Sequence, residues 1–176
     1  MKQRDRLNAF ALSAARDEIS GVVDAAALER VADRLAPEGG ESQVAYRLVG
    51  SVDAVGRPAL EVVLDGSVPL TCQRCLRTFP WRVDQSTLLL LARNEEDLAR
   101  LDAEDHEHEV VLATAPLDPG QLIEDELVLT LPFVPRCPEA ECSALHDDAA
   151  PAQSEERAEP AFGALAQLRP GPKSAR

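Results

Sequence analysis

The chain has 176 residues, enough for one domain with a sizeable core and too few for two large ones. No stretch approaches the run of about 18 apolar residues that crosses a bilayer, and the N-terminus lacks the apolar core of a secretory signal. We therefore expect a cytoplasmic protein. In that compartment the four cysteines stay reduced or bind a metal rather than form disulfides.

The net charge of −13 is concentrated in two segments. Residues 94–109 hold eight acids and one arginine, and residues 137–160 hold seven acids and one arginine, which together account for the whole net charge. The rest of the chain is formally neutral, so it can carry basic patches although the overall charge opposes nucleic-acid binding. We expect 94–109 to be a solvated loop, 143–160 a disordered acidic linker, and 161–176 a short apolar docking segment with a basic end.

Hydrophobic periodicity predicts an α+β domain over residues 1–142. Leu28, Val31 and Leu35 recur at helical spacing, whereas the apolar residues of 60–70 alternate. Asp118 and Pro119 have the residue types of a helix N-cap and first turn, although residues 127–131 fit an extended conformation equally well. The predicted elements, in chain order, are a helix at 7–16, a strand at 19–23, a helix at 25–35, strands at 44–48, 60–70 and 79–91, a strand at 110–112 and a helix at 118–128.

These elements define a single-domain α+β fold built on an antiparallel β-sheet. The helices at 25–35 and 118–128 should cover one face of the sheet, and a disordered acidic C-terminal tail should follow. Periodicity does not give the order of the strands.

Two cysteine pairs are the clearest candidate site. Cys72 and Cys75 lie at a turn between two strands, and Cys137 and Cys142 lie in a proline-rich loop. Such short spacings suit the ligands of a tetrahedral zinc ion, so we predict one structural zinc bound by the four thiolates. The alternative is that the cysteines are small buried side chains without a metal. A redox role fits less well, because the thioredoxin-type motif opens a helix rather than following a strand.

The cysteine turn also carries a candidate RNA-binding patch. Guanidinium groups bind phosphates, and exposed aromatic rings stack on unpaired bases, which makes Arg74, Arg77 and Arg82 candidate contacts together with Phe79 and Trp81. Alternatively, both aromatic residues face the core and the arginines alone stay exposed.

No pattern in the chain predicts an enzyme. The sequence has no glycine-rich phosphate loop and no nucleophile or carboxylate signature. His106 and His108 lie within the acidic segment 94–109, where a solvated surface is the simplest interpretation. We therefore expect a binding protein.

The order of these parts resembles the YceD family of large ribosomal RNA subunit accumulation proteins. The resemblance covers roughly residues 5–168 and depends on CQRCL, the acidic excursion, DPGQLIEDELVLTLPFVPRC, the late Cys142 and PAFGALAQL. It implies a bacterial, cytoplasmic, non-enzymatic factor that supports synthesis, processing or stability of the large-subunit (23S) ribosomal RNA. It also implies that the four cysteines are shared positions and that Glu124, Asp125 and Glu126 form an acidic motif, which we expect to bind a partner.

Three hypotheses follow. The neutral body contacts the RNA directly through Arg74, Arg77 and Arg82, or the acidic segments bind a basic ribosomal protein or assembly factor and affect the RNA indirectly. The third is a zinc-stabilised interaction module unrelated to ribosomes. None of the three involves a membrane or a small-molecule substrate.

Overall fold

Five strands form one sheet in the part of the chain that the computed structural model describes, residues 6–138 and Cys142. The strands lie side by side in sequence order, and neighbours are antiparallel except for the last pair, which is parallel. The predicted antiparallel sheet is thus confirmed for four strands, and the fifth is parallel because a helix returns the chain to the same end of the sheet. The strands are β1 (Glu18–Asp24), β2 (Gln43–Val52), β3 (Pro58–Thr71), β4 (Thr78–Ala92) and β5 (Glu109–Leu112).

Helices connect and cover the strands. The helices are α1 (Ala9–Ala15), α2 (Glu29–Ala32), α3 (Glu95–Glu104) and α4 (Pro119–Thr130), and a short 3-10 turn spans Ala25–Ala27. All of these elements belong to one compact unit. The predicted linker at 143–160 and docking segment at 161–176 lie outside the described residues.

The predicted helix at 25–35 is wrong in length. Asp24 caps the 3-10 turn by accepting a hydrogen bond from the Ala26 N–H, and Leu28 then adopts an extended conformation at φ −93° and ψ 119°. Leu28 and Val31 are both buried in the core, so the apolar stripe has the role that its periodicity predicts. The extended Leu28 divides the segment into a turn and the single helical turn of α2.

The acidic segment 94–109 is also corrected, because it contains α3 rather than a solvated loop. The Asn94 side chain caps this helix by accepting a hydrogen bond from the Asp97 N–H, with 2.8 Å between N and Oδ1. Three acids in its first turn suit the positive end of the helix dipole, and Arg100 pairs with Asp97 and Glu104. Leu101 is buried, so a single apolar side chain anchors a strongly acidic helix.

Helix α4 forms where Asp118 and Pro119 predict it. The Asp118 carboxylate accepts hydrogen bonds from the backbone N–H groups of Gly120 and Gln121, at 2.8 and 3.4 Å. The helix continues to Thr130, so the extended alternative for residues 127–131 is wrong.

The alternating residues of β3 face the core as predicted. Leu60, Val62, Leu64, Val68 and Leu70 are buried on one face, which continues into Cys72. Gly66 interrupts the series because a Cβ there would lie 2.6 Å from the Gln43 carbonyl oxygen of β2. The same core cluster contains Leu122, Ile123 and Leu127 of α4 and three of the four cysteines, so the cysteine site is one end of the core.

Candidate metal centre

The first cysteine pair lies at the tip of the hairpin formed by β3 and β4. The Cys72 N–H donates to the Arg77 carbonyl oxygen at 2.9 Å, and the Leu76 N–H donates to the Cys72 carbonyl oxygen at 2.9 Å. Leu76 has a φ of +61°, the left-handed conformation that ordinarily favours glycine. The chain therefore curls tightly around Cys72, and the Arg74 N–H points at the Cys72 Sγ from 3.4 Å.

The loop after α4 brings the second pair to this tip. The Gln73 N–H donates to the Pro135 carbonyl oxygen at 2.9 Å, and the Cys137 N–H lies 3.4 Å from the Cys72 Sγ. On its other side, the Arg34 guanidinium donates to the Pro132 carbonyl oxygen at 3.1 Å. Hydrogen bonds from two separate parts of the chain therefore fix this loop against the hairpin.

The four sulfur atoms converge. All lie within 4.8 Å of one another; Cys72 Sγ and Cys142 Sγ are 3.7 Å apart, and Cys75 Sγ and Cys137 Sγ are 3.6 Å apart. In a tetrahedral site with metal–sulfur bonds of about 2.3 Å, neighbouring sulfurs lie about 3.8 Å apart. All four cysteines are free thiols, and three of them are buried. The spacing is consistent with four ligands of one ion.

The electrostatics of the cluster are uneven. Backbone N–H groups of Cys137 and Cys75 lower the pKa of Cys72 to about 5, which favours a thiolate. Burial and the neighbouring sulfurs raise the pKa of Cys137 far above its usual range. The Arg74 Nε lies 2.9 Å from the Cys142 Sγ and brings one positive charge to the cluster. Ionisation of all four thiols in so small a buried space would need further positive charge, which a divalent ion would supply.

The predicted arginine patch divides into two locations. Arg74 and Arg77 are exposed at the hairpin tip, whereas Arg82 lies on the outer face of β4, where its guanidinium is 3.1 Å from the Asp65 carboxylate and 3.6 Å from that of Asp84. Phe79 is buried and Trp81 is half-buried against the core, as the inward alternative expects. These two rings therefore face the core and do not extend the arginine patch.

The acidic motif lies at the contact between α2 and α4. Glu124 accepts a hydrogen bond from the Arg30 N–H at 2.8 Å, and the Arg30 guanidinium is 3.2 Å from Glu124 and 2.5 Å from Asp125. Glu126 is buried, and burial raises the pKa of its carboxyl. Binding of a partner by this motif stays a prediction. Within the fold, Glu124 and Asp125 contact Arg30, and Glu126 is buried.

Two residues of this region were not predicted from sequence. Phe133 is exposed in the loop after α4, and Arg136 is exposed beside Cys137. The signal that marks them is the absence of acidic residues from 127–138 in an otherwise acidic chain.

The histidines of the acidic segment do not form a second metal site in the described residues. His108 Nδ1 lies 3.1 Å from the Asp105 carboxylate, and His106 is exposed. Among residues 6–138 and Cys142, the four cysteines are the one group of His, Cys, Asp or Glu side chains close enough to hold an ion.

The fold and this cluster define an α+β protein with a four-cysteine centre at the tip of a hairpin. A sequence model of the family described as large ribosomal RNA subunit accumulation protein YceD matches residues 60–169. The chain belongs to this family, whose name refers to ribosomal RNA and not to a reaction. Searches of curated proteins and of solved structures found no match. No helix in the described part of the chain is long and apolar enough to cross a membrane.

Proposed function

We propose that this protein is a cytoplasmic, non-enzymatic ribosome-biogenesis factor that supports synthesis, processing or stability of the 23S ribosomal RNA. The observation that carries the proposal is the family match over residues 60–169, which includes both cysteine-bearing segments. The family's link to the large ribosomal subunit favours this role over an interaction module unrelated to ribosomes.

Deleting the gene in its host tests the role. We expect large-subunit ribosomal RNA to fall relative to small-subunit RNA, and the full chain supplied in trans to restore the ratio. An unchanged ratio would contradict the proposal and favour the unrelated module.

We further propose that Cys72, Cys75, Cys137 and Cys142 hold one structural zinc ion. Thiolate sets of this kind select zinc or iron over magnesium and calcium, and four protein ligands leave no open position for catalysis. The ion's role would be to join the hairpin tip to the loop after α4.

Elemental analysis of protein purified without a metal-binding tag tests the ion. We expect one zinc per chain, with iron measured in parallel, and none in the Cys72→Ser, Cys75→Ser double variant. Because this variant can fail to fold, the wild-type protein is also treated with a chelator. A folded wild-type protein that carries no metal would contradict the proposal.

Two routes connect the protein to the RNA. The direct route uses the exposed arginines at the hairpin tip, and Arg82 has weaker support because Asp65 and Asp84 already pair with it. The indirect route uses the acids that α3 exposes to bind a basic ribosomal protein or assembly factor, and Asp125 of the acidic motif is also exposed.

Crosslinking to ribosomal RNA in cells separates the two routes. Reversing the charge at Arg74, Arg77 and Arg82 should abolish crosslinking if contact is direct, and Arg77→Glu is the cleanest single variant because Arg74 also contacts Cys142. Glu95→Lys with Glu96→Lys is the matched reversal on α3. Loss of crosslinking in the α3 variant alone would support the adaptor.

A further inference from the structure

Two segments without acidic residues meet at the cysteine end of the molecule. Residues 66–83 and 127–138 contain no Asp or Glu, although the whole chain has 31 acids. The hydrogen bond from the Gln73 N–H to the Pro135 carbonyl oxygen and the approach of the Cys137 N–H to the Cys72 Sγ hold the two segments together. The fold therefore brings these two acid-free segments together at the cysteine end.

The arginines of the described residues differ in whether a carboxylate pairs with them. Within residues 6–138 and Cys142, those that pair with carboxylates are Arg30, Arg47, Arg57, Arg82 and Arg100, and of these Arg82 belongs to segment 66–83. Arg77 and Arg136 are exposed, and neither has such a pair within the described residues. Their charges are thus available to an anionic partner.

An exposed aromatic ring lies three residues before Arg136 in the loop after α4. The Phe133 side chain is 93% exposed, the highest value among the exposed large hydrophobic residues. Its position is fixed from both sides, because the Pro132 carbonyl accepts a hydrogen bond from Arg34 and the Pro135 carbonyl accepts one from Gln73. Full exposure of a ring on a fixed loop costs free energy in water and is typical of a binding contact.

We propose that Phe133, Arg77 and Arg136 form a contact surface for single-stranded RNA. The Phe133 ring would stack on an unpaired base, while the two guanidinium groups bind neighbouring phosphates. The acids of α3 would repel the phosphate backbone from that part of the surface and confine contact to the cysteine end. This inference rests on the proposed function, and it specifies that the protein binds single-stranded RNA through an unpaired base and its neighbouring phosphates.

Fluorescence anisotropy with the full-length protein and a labelled oligouridylate tests the stacking contact. Phe133→Ala should weaken binding roughly 5- to 150-fold, the effect of losing one stacked base, whereas Phe133→Tyr should retain most of the affinity. Leu129→Ala is the matched control, because Leu129 is 76% exposed on α4 and should bind like the wild type. Equal affinity of wild type and Phe133→Ala would overturn the inference.

The salt dependence tests the phosphate contacts. Arg77→Ala and Arg136→Ala should each reduce the slope of log affinity against log salt by about 0.7, the value for one phosphate on a single strand. Arg47→Ala, which removes an arginine paired with Glu18, should leave the slope unchanged. Duplex RNA of the same length should bind more weakly, and equal binding of duplex and single strand would overturn the inference.

Cellular readouts separate this inference from the function on which it rests. If deletion lowers large-subunit RNA and Phe133→Ala restores it fully, the proposed function stands and the stacking surface is wrong. If deletion leaves the RNA unchanged, the proposed function itself fails. A photocrosslinker at position 133 that captures a protein and no RNA would also overturn the surface.

Discussion

Two hairpin turns of the sheet are each joined to a distant segment, and the two joints use different chemistry. At the turn between β2 and β3, the Arg57 guanidinium pairs with Asp53 of its own turn and with Asp105 after α3. At the turn between β3 and β4, sulfur atoms of Cys72 and Cys75 meet those of the loop after α4. In the first joint a guanidinium of the protein pairs with both carboxylates, whereas the second gathers ionisable thiols with Arg74 as the nearby cation. One joint should therefore be complete from the chain alone, and the other should depend on an added ion.

Removing the ion should have the largest effect. If zinc joins the hairpin to the loop, a chelator should lower the free energy of unfolding by about 4 kcal/mol or more, the range expected for loss of a structural metal. Thermal unfolding with and without the chelator measures this, and restored stability after adding zinc is the control. An unchanged melting temperature in metal-free protein would show that the sulfur joint needs no ion.

Breaking the ion-pair joint should have the next largest effect. Arg57→Met keeps part of the apolar stem but leaves the Asp53 and Asp105 carboxylates, which are 3% and 9% exposed, without their guanidinium. Chemical unfolding should show a clear loss of stability at neutral pH. Arg100→Met is the control, because its pairs on α3 are exposed and should contribute little. Equal losses in the two variants would contradict the importance of this joint.

The same joint should have a distinct response to acid. The His108 N–H and the Arg57 guanidinium hold the pKa of Asp105 well below its ordinary 3.8, so its ionised form stabilises the fold above that pH. This stabilisation is lost as the pH falls below 3.8. We expect the stability difference between wild type and Asp105→Asn to shrink over that range. The cysteine cluster contributes the same change in stability with pH to both proteins, so this contribution cancels when the two are compared.

Substitution of Glu126 in the acidic motif should have a smaller effect on stability, and this effect should be stabilising. Burial raises the pKa of Glu126 above 4.5, with Asp125 and Glu109 adding to it, so the ionised form is costly in the folded state. Glu126→Gln should therefore raise the melting temperature at neutral pH, and the gain should disappear below pH 4.5, where the carboxyl is protonated in both states. Asp125→Asn, on an exposed residue that pairs with Arg30, should show no such gain.

The smallest effect should come from the hairpin tip. Leu76 has a left-handed backbone at φ +61° and is 75% exposed, so Leu76→Gly should stabilise the protein by about 0.5–1 kcal/mol after the entropy of glycine is counted. Leu76→Ala is the control, because alanine keeps the Cβ that makes this conformation unfavourable. A similar gain in both variants would contradict backbone strain as the cause.

The sequence predicted the sheet because its strands obey a local pattern. Alternation in β3 gives the buried face directly, and its gap at Gly66 marks the close approach of β2. Asp118 and Pro119 located the start of α4 for the same reason, since a cap depends on neighbouring residues. Helix α3 was missed because one buried leucine among many acids gives almost no periodic signal. The break at Leu28 was missed because the apolar residues keep helical spacing across it, from Leu28 through Val31 to Leu35.

The sequence predicted only those parts of the candidate site whose residues lie close together along the chain. The spacing of Cys72 and Cys75 indicates a ligand pair, but only the fold brings Cys137 and Cys142 within 4.8 Å of it. Likewise, pairing of Arg82 with Asp65 depends on the register of β3 and β4, which places the two residues on the outer face. Phe133 lies in the stretch DPGQLIEDELVLTLPFVPRC, but its exposure becomes visible only once its loop is placed against the hairpin.

The wide separation of the two cysteine pairs has a consequence for synthesis of the protein. The whole of β4, α3, β5 and α4 lies between Cys75 and Cys137. A growing chain that has not reached Cys142 has at most three of the four thiols, so a closed tetrahedral site cannot form until nearly all of the described fold has been translated. Stable metal binding would therefore occur only after the domain has been translated completely. A ribosome that stalls before Cys142 would release a chain that lacks a stably bound ion.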